Sequence, residues 1–367
     1  MKIGFDVSDL CTGRADGTTR YTGELAKRLP VVGREHEWLM FAPCNARQND
    51  QCPMTNVQYA ASPWPKYWTQ TRLPFDLYRY KPEVMFMPMQ QLPYLRPGKM
   101  KTVAVVHDLA VHRYPEQFRY KDWLLLHVFS AHAVREADEI IAVSQATADD
   151  IEKYYGRTKN VHVIHHGVDH ARFRPADEAA RLTGWQKISG AYPAITEPYI
   201  LYVGQLQPRK NLVRLVAAWE SLAGKMPEMK LVIAGGHGWL NKPILERVKN
   251  SPAAERIVLT GVVPDDLLPA LYQHAAVFVL PSLYEGFGMP IVEAFACGCP
   301  VVTSNVSSMP EVAGGAAVLV EPTTVESVTT GIKEALGRKE DLRKKGLERA
   351  KQFDWEITAQ KVLGVLL

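Results

Sequence analysis

The sequence predicts an α/β protein made of two doubly wound parallel-sheet domains. Three observations lead there. Short β-branched apolar runs alternate with longer amphipathic stretches, the pattern of helices packed on parallel sheets. That rhythm breaks once, over residues 171–198, where Pro175, Gly184, Gly190, Pro193 and Pro198 punctuate polar sequence without a clear period. The length, 367 residues with 47% hydrophobic and 22% charged side chains, suits two domains at roughly 100–200 residues each.

Residues 1–170 form the expected first domain. Its strands are the short β-branched or apolar runs at 3–7, 38–42, 56–60, 84–87, 102–107, 139–143 and 161–165, and helices fit between them at 18–29, 68–80, 120–137 and 146–155. Residues 171–198 are read as a linker. In the second domain, 199–350, strands are expected at 199–203, 230–234, 256–260, 277–280, 300–303 and 317–320. Helices separate them near 211–224, 239–250, 264–274, 290–296 and 325–336. The tail from 339 to 367 reads as two helices split at Phe353-Asp354-Trp355, with no strand left to feed. Neither an internal repeat nor a low-complexity segment stands out.

Composition excludes several function classes. Lys and Arg exceed Asp and Glu by 43 − 39 = +4, too mild a surplus for a nucleic-acid coat, though compatible with anionic small molecules or a membrane surface. The five cysteines, Cys11, Cys44, Cys52, Cys297 and Cys299, form no CxxC pair and are odd in number, which suggests neither a disulfide framework nor a thiolate zinc site. The first residues run straight into a strand pattern without a secretory leader, and no apolar run approaches the ~18 residues of a bilayer span. A cytoplasmic protein is expected, at most peripheral to a membrane.

Ligands of open α/β sheets bind beyond the carboxyl ends of the strands, so the loops that follow strands matter most. The richest is Ser282-Leu283-Tyr284-Glu285-Gly286-Phe287-Gly288-Met289-Pro290, continuing to Glu293. Its glycines admit a close ligand, and Pro290 suits the first turn of a helix whose free N–H groups face the same spot. Glu285 and Glu293 lie eight residues apart, and a carboxylate can accept from two neighbouring hydroxyls, as on a sugar or a ribose. The plain alternative is a tight turn with a surface Glu at each end. A second loop, Gly204 to Asn211, sets Arg209 and Lys210 beside an expected Asn211 N-cap, a fork and a point charge suited to a diphosphate. The first strand leads into Gly13-Arg14-Ala15-Asp16-Gly17-Thr18, small enough for close approach but lacking G-x-G-x-x-G, which argues against a nicotinamide dehydrogenase. His107 ends the strand at 102–107, while the adjacent His165 and His166 point opposite ways on a strand and make poor metal partners. With no Asp-x-Asp in the chain, no metal site is expected, and Arg209, Lys210 and the helix starts are left to meet any diphosphate.

Together these residues resemble the retaining glycosyltransferases of family 4, with the GT-B architecture of two facing Rossmann-like domains. The likeness covers nearly the whole chain. It comprises Gly13–Gly17, His107-Asp108-Leu109, Val143-Ser144-Gln145-Ala146-Thr147, His166-Gly167-Val168-Asp169 with Phe173-Arg174-Pro175, the Gly204–Asn211 loop, and Glu285-Gly286-Phe287-Gly288-Met289-Pro290 with Glu293. The E-x7-E spacing is its most specific part. The resemblance implies that Arg209 and Lys210 bind the donor diphosphate and Glu293 the ribose, while Glu285 and the amides of Phe287, Gly288 and Met289 hold the donor sugar. It further implies that His107 touches the transferred sugar, that Gly17 and Thr18 close over the diphosphate, and that the base lies against Gly261-Val262-Val263 and near Leu283. The first loop departs from the family's usual compact Gly-Gly-hydrophobic-Gly. The segment 351–367 is expected to cross back to the first domain.

Within that family, His107-Asp108-Leu109 followed by Val111 to Phe118 is similar to bacterial transferases that build O-antigens and other surface polysaccharides. A nucleotide-sugar donor is therefore implied, GDP-mannose first, with GDP-rhamnose or a UDP-sugar as alternatives, and a lipid-linked glycan as acceptor. Tyr67, Trp68, Arg72, Trp123 and Leu124-Leu125-Leu126 are candidates for a membrane-facing surface, core packing being the plainer reading. A sugar-nucleotide epimerase and a non-catalytic nucleotide-sugar-binding regulator remain as alternatives.

Overall fold

The computed structural model describes residues 1–13, 16–43, 55–62 and 67–367. The chain divides into two compact units, Met1–Gly167 with Trp355–Leu367, and Val168–Asp354. Each is a parallel sheet clad in helices, the Rossmann-like α/β arrangement.

In the first unit the strands are β1 (Lys2–Asp6), β2 (Glu37–Ala42), β3 (Val57–Ala61), β4 (Val84–Met87), β5 (Lys101–Val106), β6 (Glu139–Ala142) and β7 (Val161–Val163). They lie in the order β3-β2-β1-β4-β5-β6-β7, every pair parallel. Strands β1, β2, β4 and β5 are buried along almost their whole length, which is why they read as continuous apolar runs. Helices Trp68–Tyr80, Tyr120–Glu136 and Gln145–Tyr155 send Leu73, Leu77, Ala133, Val134 and Ile151 into one core with Phe41, Met85, Val106 and Ile140. The last helix, Trp355–Leu366, belongs here because Trp355, Val362 and Leu366 are buried beside helix Gly17–Val32. Lys101 Nζ donates to Val365 O at 2.8 Å, and Thr358 Oγ1 to His165 O at 2.9 Å.

The second unit orders β8 (Tyr199–Val203), β9 (Lys230–Ala234), β10 (Ile257–Gly261), β11 (Val277–Leu280), β12 (Val301–Ser304) and β13 (Val318–Val320) as β10-β9-β8-β11-β12-β13. Chain direction across the sheet reverses between β8 and β11, as it does between β1 and β4 in the first unit. Such reversals open a crevice at the carboxyl ends of the strands.

Several expectations need correction. Residues 171–198 are not a linker: they carry the helix Glu178–Ala191, started by Asp177, whose side chain accepts from Ala180 N at 2.8 Å. Only Ile188 of that helix is buried, so it has no apolar stripe to betray it in the sequence. The first unit accordingly ends at Gly167 rather than 170, and the second runs on to Asp354. A short helix, Met309–Ala313, also went unforeseen. Cys11 is disulfide-bonded, whereas Cys297 and Cys299 are free and buried; Cys44, Cys52, Arg14 and Ala15 lie outside the described residues. Among the described residues no helix is long and apolar enough to cross a membrane.

Candidate active site

The second unit assembles most of the expected residues at its sheet reversal. After β8 the chain makes a tight 3-10 turn over Pro208–Lys210, and Asn211 follows with φ +61°. Asn211 stands at the head of helix Leu212–Ala223 but does not cap it through its side chain, contrary to expectation. Its buried amide donates instead to Pro281 O at 2.9 Å and Pro322 O at 2.7 Å. Leu283 N donates to Arg209 O at 2.8 Å, so the loops after β8 and β11 are stitched together.

That stitching sets the charges. Lys210 Nζ donates to both oxygens of Glu285, at 2.6 and 2.8 Å, Ser282 Oγ donates to Oε1 at 2.6 Å, and Arg209 Nη1 stands 3.7 Å from Oε2. Arg209 is aimed by Gln207 Oε1 at 3.3 Å and Tyr284 O at 3.4 Å. Glu285 is only 6% exposed. Burial opposes its ionisation, but Lys210, then Arg209, then the hydrogen bonds from Lys210 and Ser282 outweigh that and hold the carboxyl below its ordinary range. The result is a buried carboxylate clamped between two cations at the crevice.

Three serines, none singled out from the sequence, position the rest of this loop. Ser307 Oγ donates to Glu285 O at 2.6 Å, Ser308 Oγ lies 2.9 Å from Glu285 O and 3.0 Å from Phe287 O, and Ser304 Oγ donates to Ser282 O at 2.7 Å. The signal was present in the run Ser304-Asn305-Val306-Ser307-Ser308 directly after an apolar strand. Gly288, at φ +96°, then turns the chain into helix Met289–Ala296. Glu293, on that helix, is buried and accepts from Tyr272 Oη at 3.0 Å.

Glycines floor the same edge of the sheet. Gly204 and Gly235 both adopt φ +150°, and a Cβ on Gly235 would stand 1.9 Å from Gly204 O. Gly204 N donates to Ala234 O at 2.9 Å and Gly235 N to Gly261 O at 2.8 Å, while Val262 beyond Gly261 is exposed. Sequence reasoning found Gly204, Gly261 and Val262 but missed Gly235, although Gly235-Gly236-His237-Gly238 directly follows a strand.

In the first unit, His107 follows β5 and its Nε2 lies 2.7 Å from Pro88 O, just beyond β4. A carbonyl can only accept, so the neutral ring carries its proton on Nε2 and presents a bare Nδ1. Burial keeps this imidazole below its ordinary pKa, against the pull of the Pro88 bond and of Asp108 and Asp16. Tyr21 meets the ring edge-on at 5.0 Å, and His166 lies 5.5 Å away in the same aromatic cluster. Gly17, expected to end a loop, and Thr18, expected to begin the helix, both open helix Gly17–Val32, whose N-cap Asp16 accepts from Thr19 N at 3.1 Å and from Thr18 Oγ1 at 2.8 Å. The Asp–Gly–Thr-Thr order is an N-cap signature that outranks the loop reading.

Among the described residues no group of three His, Cys, Asp or Glu could hold a metal ion.

Residues 15–172 match the family model described as Glycosyltransferase Family 4, and residues 188–353 the model described as Glycosyl transferases group 1. O-antigen chain mannosyltransferase B of Escherichia coli is 31% identical over 376 aligned positions, covering 95% of this chain and 96% of that one. Sucrose-phosphate synthase from Thermosynechococcus elongatus superposes with a TM-score of 0.77 at 20% identity, over 100% of this chain and 98% of that chain. HepE of Anabaena, solved with UDP and glucose, superposes with a TM-score of 0.73 at 19% identity, over 100% and 99%. At those identities the two structures speak for the fold alone, which is that of the GT-B glycosyltransferases. The chain belongs to glycosyltransferase family 4, and the protein is a glycosyltransferase.

Proposed function

We propose that the protein is a retaining mannosyltransferase that moves mannose from GDP-mannose to a hydroxyl of a growing, lipid-linked glycan of an O-antigen or other surface polysaccharide. The observation that carries this reading is the 31% identity, along nearly the whole of both chains, with an O-antigen chain mannosyltransferase. The charge cluster supports it. Arg209 and Lys210 take the donor diphosphate, so that Lys210 trades Glu285 for phosphate oxygens and stabilises the leaving group. Glu285, released from Lys210, accepts hydroxyls of the donor sugar, aided by the amides of Phe287, Gly288 and Met289 at the head of a helix.

Glu293 takes the ribose, and the glycine floor from Gly204 to Gly261 with Leu283 and Val262 receives the nucleoside. His107 offers its bare Nδ1 to a hydroxyl of the transferred sugar, and Gly17 and Thr18 meet the diphosphate. In front-face transfer the acceptor oxygen bonds to the anomeric carbon on the side the diphosphate leaves, and its proton passes to the departing phosphate oxygen. The two cations supply the charge, so no divalent ion is required.

The test is a panel of GDP-mannose, GDP-rhamnose and UDP-sugars, scored for nucleoside diphosphate release with and without a lipid-linked oligosaccharide, and for the anomeric configuration of the product. Acceptor-dependent release from GDP-mannose with retention, undiminished by EDTA, is expected. Preference for a UDP-sugar, an inverted product or a strict divalent-ion requirement would each overturn the corresponding part of the reading. Isomerised donor without acceptor would mark an epimerase, and binding without turnover a regulator.

A further inference from the structure

The short helix Leu268–His274 follows β10 and the exposed Val262 that is proposed to meet the nucleoside. Nearly all of its side chains are buried, and one of them carries a polar atom into that burial. Tyr272 is wholly inaccessible, yet its Oη donates to Glu293 Oε2 at 3.0 Å, across 21 residues of chain. A role in filling space needs only the ring, and Phe would supply that equally well. The hydroxyl and its acceptor ask for a separate account.

The ring is fixed from two sides. Phe278 of β11 meets it edge-on with centroids 5.4 Å apart, and Phe173 does the same at 6.2 Å; both phenylalanines are buried. Phe173 is itself held, since its N donates to Asp169 O at 2.7 Å and the Arg172 guanidinium lies 4.7 Å over its ring. Arg172 Nη1 also donates to Asp265 Oδ2 at 3.3 Å, in the loop that starts at Val262, and Gln273 Nε2 donates to Arg174 O at 2.7 Å. The turn at 169–174, the loop after β10 and the helix that carries Tyr272 are thus tied into one block, and the position of Oη follows from that packing.

Glu293 gains most from a fixed neighbour. The last torsion of a glutamate side chain is broad, so packing alone leaves the carboxylate plane poorly defined. At 4% exposure this carboxylate also has little water to satisfy it, and a hydrogen bond to an ionised acceptor is roughly twice as strong as a neutral one. Ribose presents two adjacent hydroxyl donors. A carboxylate has about four lone-pair sites on two oxygens, enough to accept from a phenol and from that pair together. Each of those bonds needs its oxygen within about 3 Å, which a swinging carboxylate meets only at an entropic cost and a braced one meets beforehand.

We infer that Tyr272 is a positioning residue of the donor site, whose hydroxyl fixes the Glu293 carboxylate in the orientation that receives the ribose hydroxyls. The inference rests on the proposed ribose role of Glu293. The experiment is calorimetric titration of the full chain with GDP, UDP and the 2′,3′-dideoxy form of each, so that either base serves. Wild type is expected to bind the preferred ribonucleotide about tenfold or more tightly than its dideoxy form. Tyr272→Phe weakens the ribonucleotide about tenfold while the dideoxy form stays within about twofold, so the ratio between them collapses. Glu293→Gln lowers the same ratio, and adding Tyr272→Phe to it lowers the ratio no further, because the phenol acts only through that carboxylate. Equal weakening of both nucleotide forms in Tyr272→Phe marks general damage to the core and overturns the inference. So does an unchanged ratio in that variant beside a discriminating wild type, and in both cases Glu293 keeps its ribose role. A wild type that binds both forms alike, or neither, overturns the ribose role itself and the inference with it.

Discussion

Replacing Lys210 by Met separates the two duties of the charge cluster, and the structure sets the size of each effect. The variant leaves Glu285 buried, with Ser282 at 2.6 Å and Arg209 at 3.7 Å as its remaining polar partners in the cluster. Removing one member of a buried ion pair costs about 3–5 kcal/mol, and Arg209 compensates in part, so a loss near the lower end is expected. Glu285→Gln removes the carboxylate that faces the Lys210 ammonium, whose side chain is 13% exposed, and costs a similar amount. Removing both charges together avoids either stranded ion, so Lys210→Met with Glu285→Gln should come back to within about 1 kcal/mol of wild type. Activity behaves differently. If Lys210 meets the donor diphosphate, transfer falls roughly 10²–10³-fold in Lys210→Met and stays there in the double variant, because no cation has been restored.

Urea unfolding of the full chain followed by circular dichroism reads the first effect, and initial rates of nucleoside diphosphate release read the second. A double variant as unstable as the sum of the singles would refute the ion-pair argument. Recovered turnover in that variant would refute the diphosphate role. The pair also fixes a pH signature. Glu285 has a folded pKa below its unfolded one, so its contribution is whole above the ordinary Glu value near ~4.3 and is lost as pH falls through the folded pKa. The acid unfolding limb should therefore be shallower in Glu285→Gln.

Two further expectations follow from other parts of the molecule. His107, its pKa lowered by burial, stays neutral at pH 7, so wild-type stability should begin to fall as pH drops below the unfolded value near ~6.5, and His107→Asn should flatten that decline while slowing transfer; an unchanged pH profile would count against the buried neutral ring. Gly235→Ala puts a Cβ 1.9 Å from a backbone carbonyl in a φ that side chains rarely adopt and should destabilise by about 3 kcal/mol or more, whereas Gly364→Ala, with nothing within 4 Å in helix Trp355–Leu366, should raise stability by roughly 0.5–1 kcal/mol; calorimetry of both variants decides.

Elements that bury one clear face were legible along the chain. The continuous apolar runs of β4 and β11 and the helix Trp68–Tyr80 stand where the sequence pattern puts them, because burial on a sheet or a stripe leaves a period that a single sequence carries. Helix Glu178–Ala191 was not legible, since it buries only Ile188 and is held by its Asp177 cap rather than by a stripe. At the candidate site, Arg209, Lys210, Glu285 and the glycines were readable because charge and glycine after a strand are unusual. Ser307 and Ser308 were not, since a hydroxyl that holds a carbonyl 22 or 23 residues away looks like any loop serine until the chain is folded.

By itself, then, the sequence determined two α/β units, the family, and the charged loops that follow β8 and β11. Those are local properties: periodicity, turn chemistry, and residue types at fixed spacing. Only the tertiary structure decided that Glu285 is clamped by Lys210 across 75 residues, that Asn211 braces two carbonyls instead of capping a helix, and that His107 holds its proton on Nε2. It also decided which aromatic side chains face water, with Trp68 buried and Phe75 exposed on one helix. Each of these depends on which distant atom stands within about 3 Å of another, or on which helix face meets the core, and that is set by packing between elements rather than by the order of residues within one.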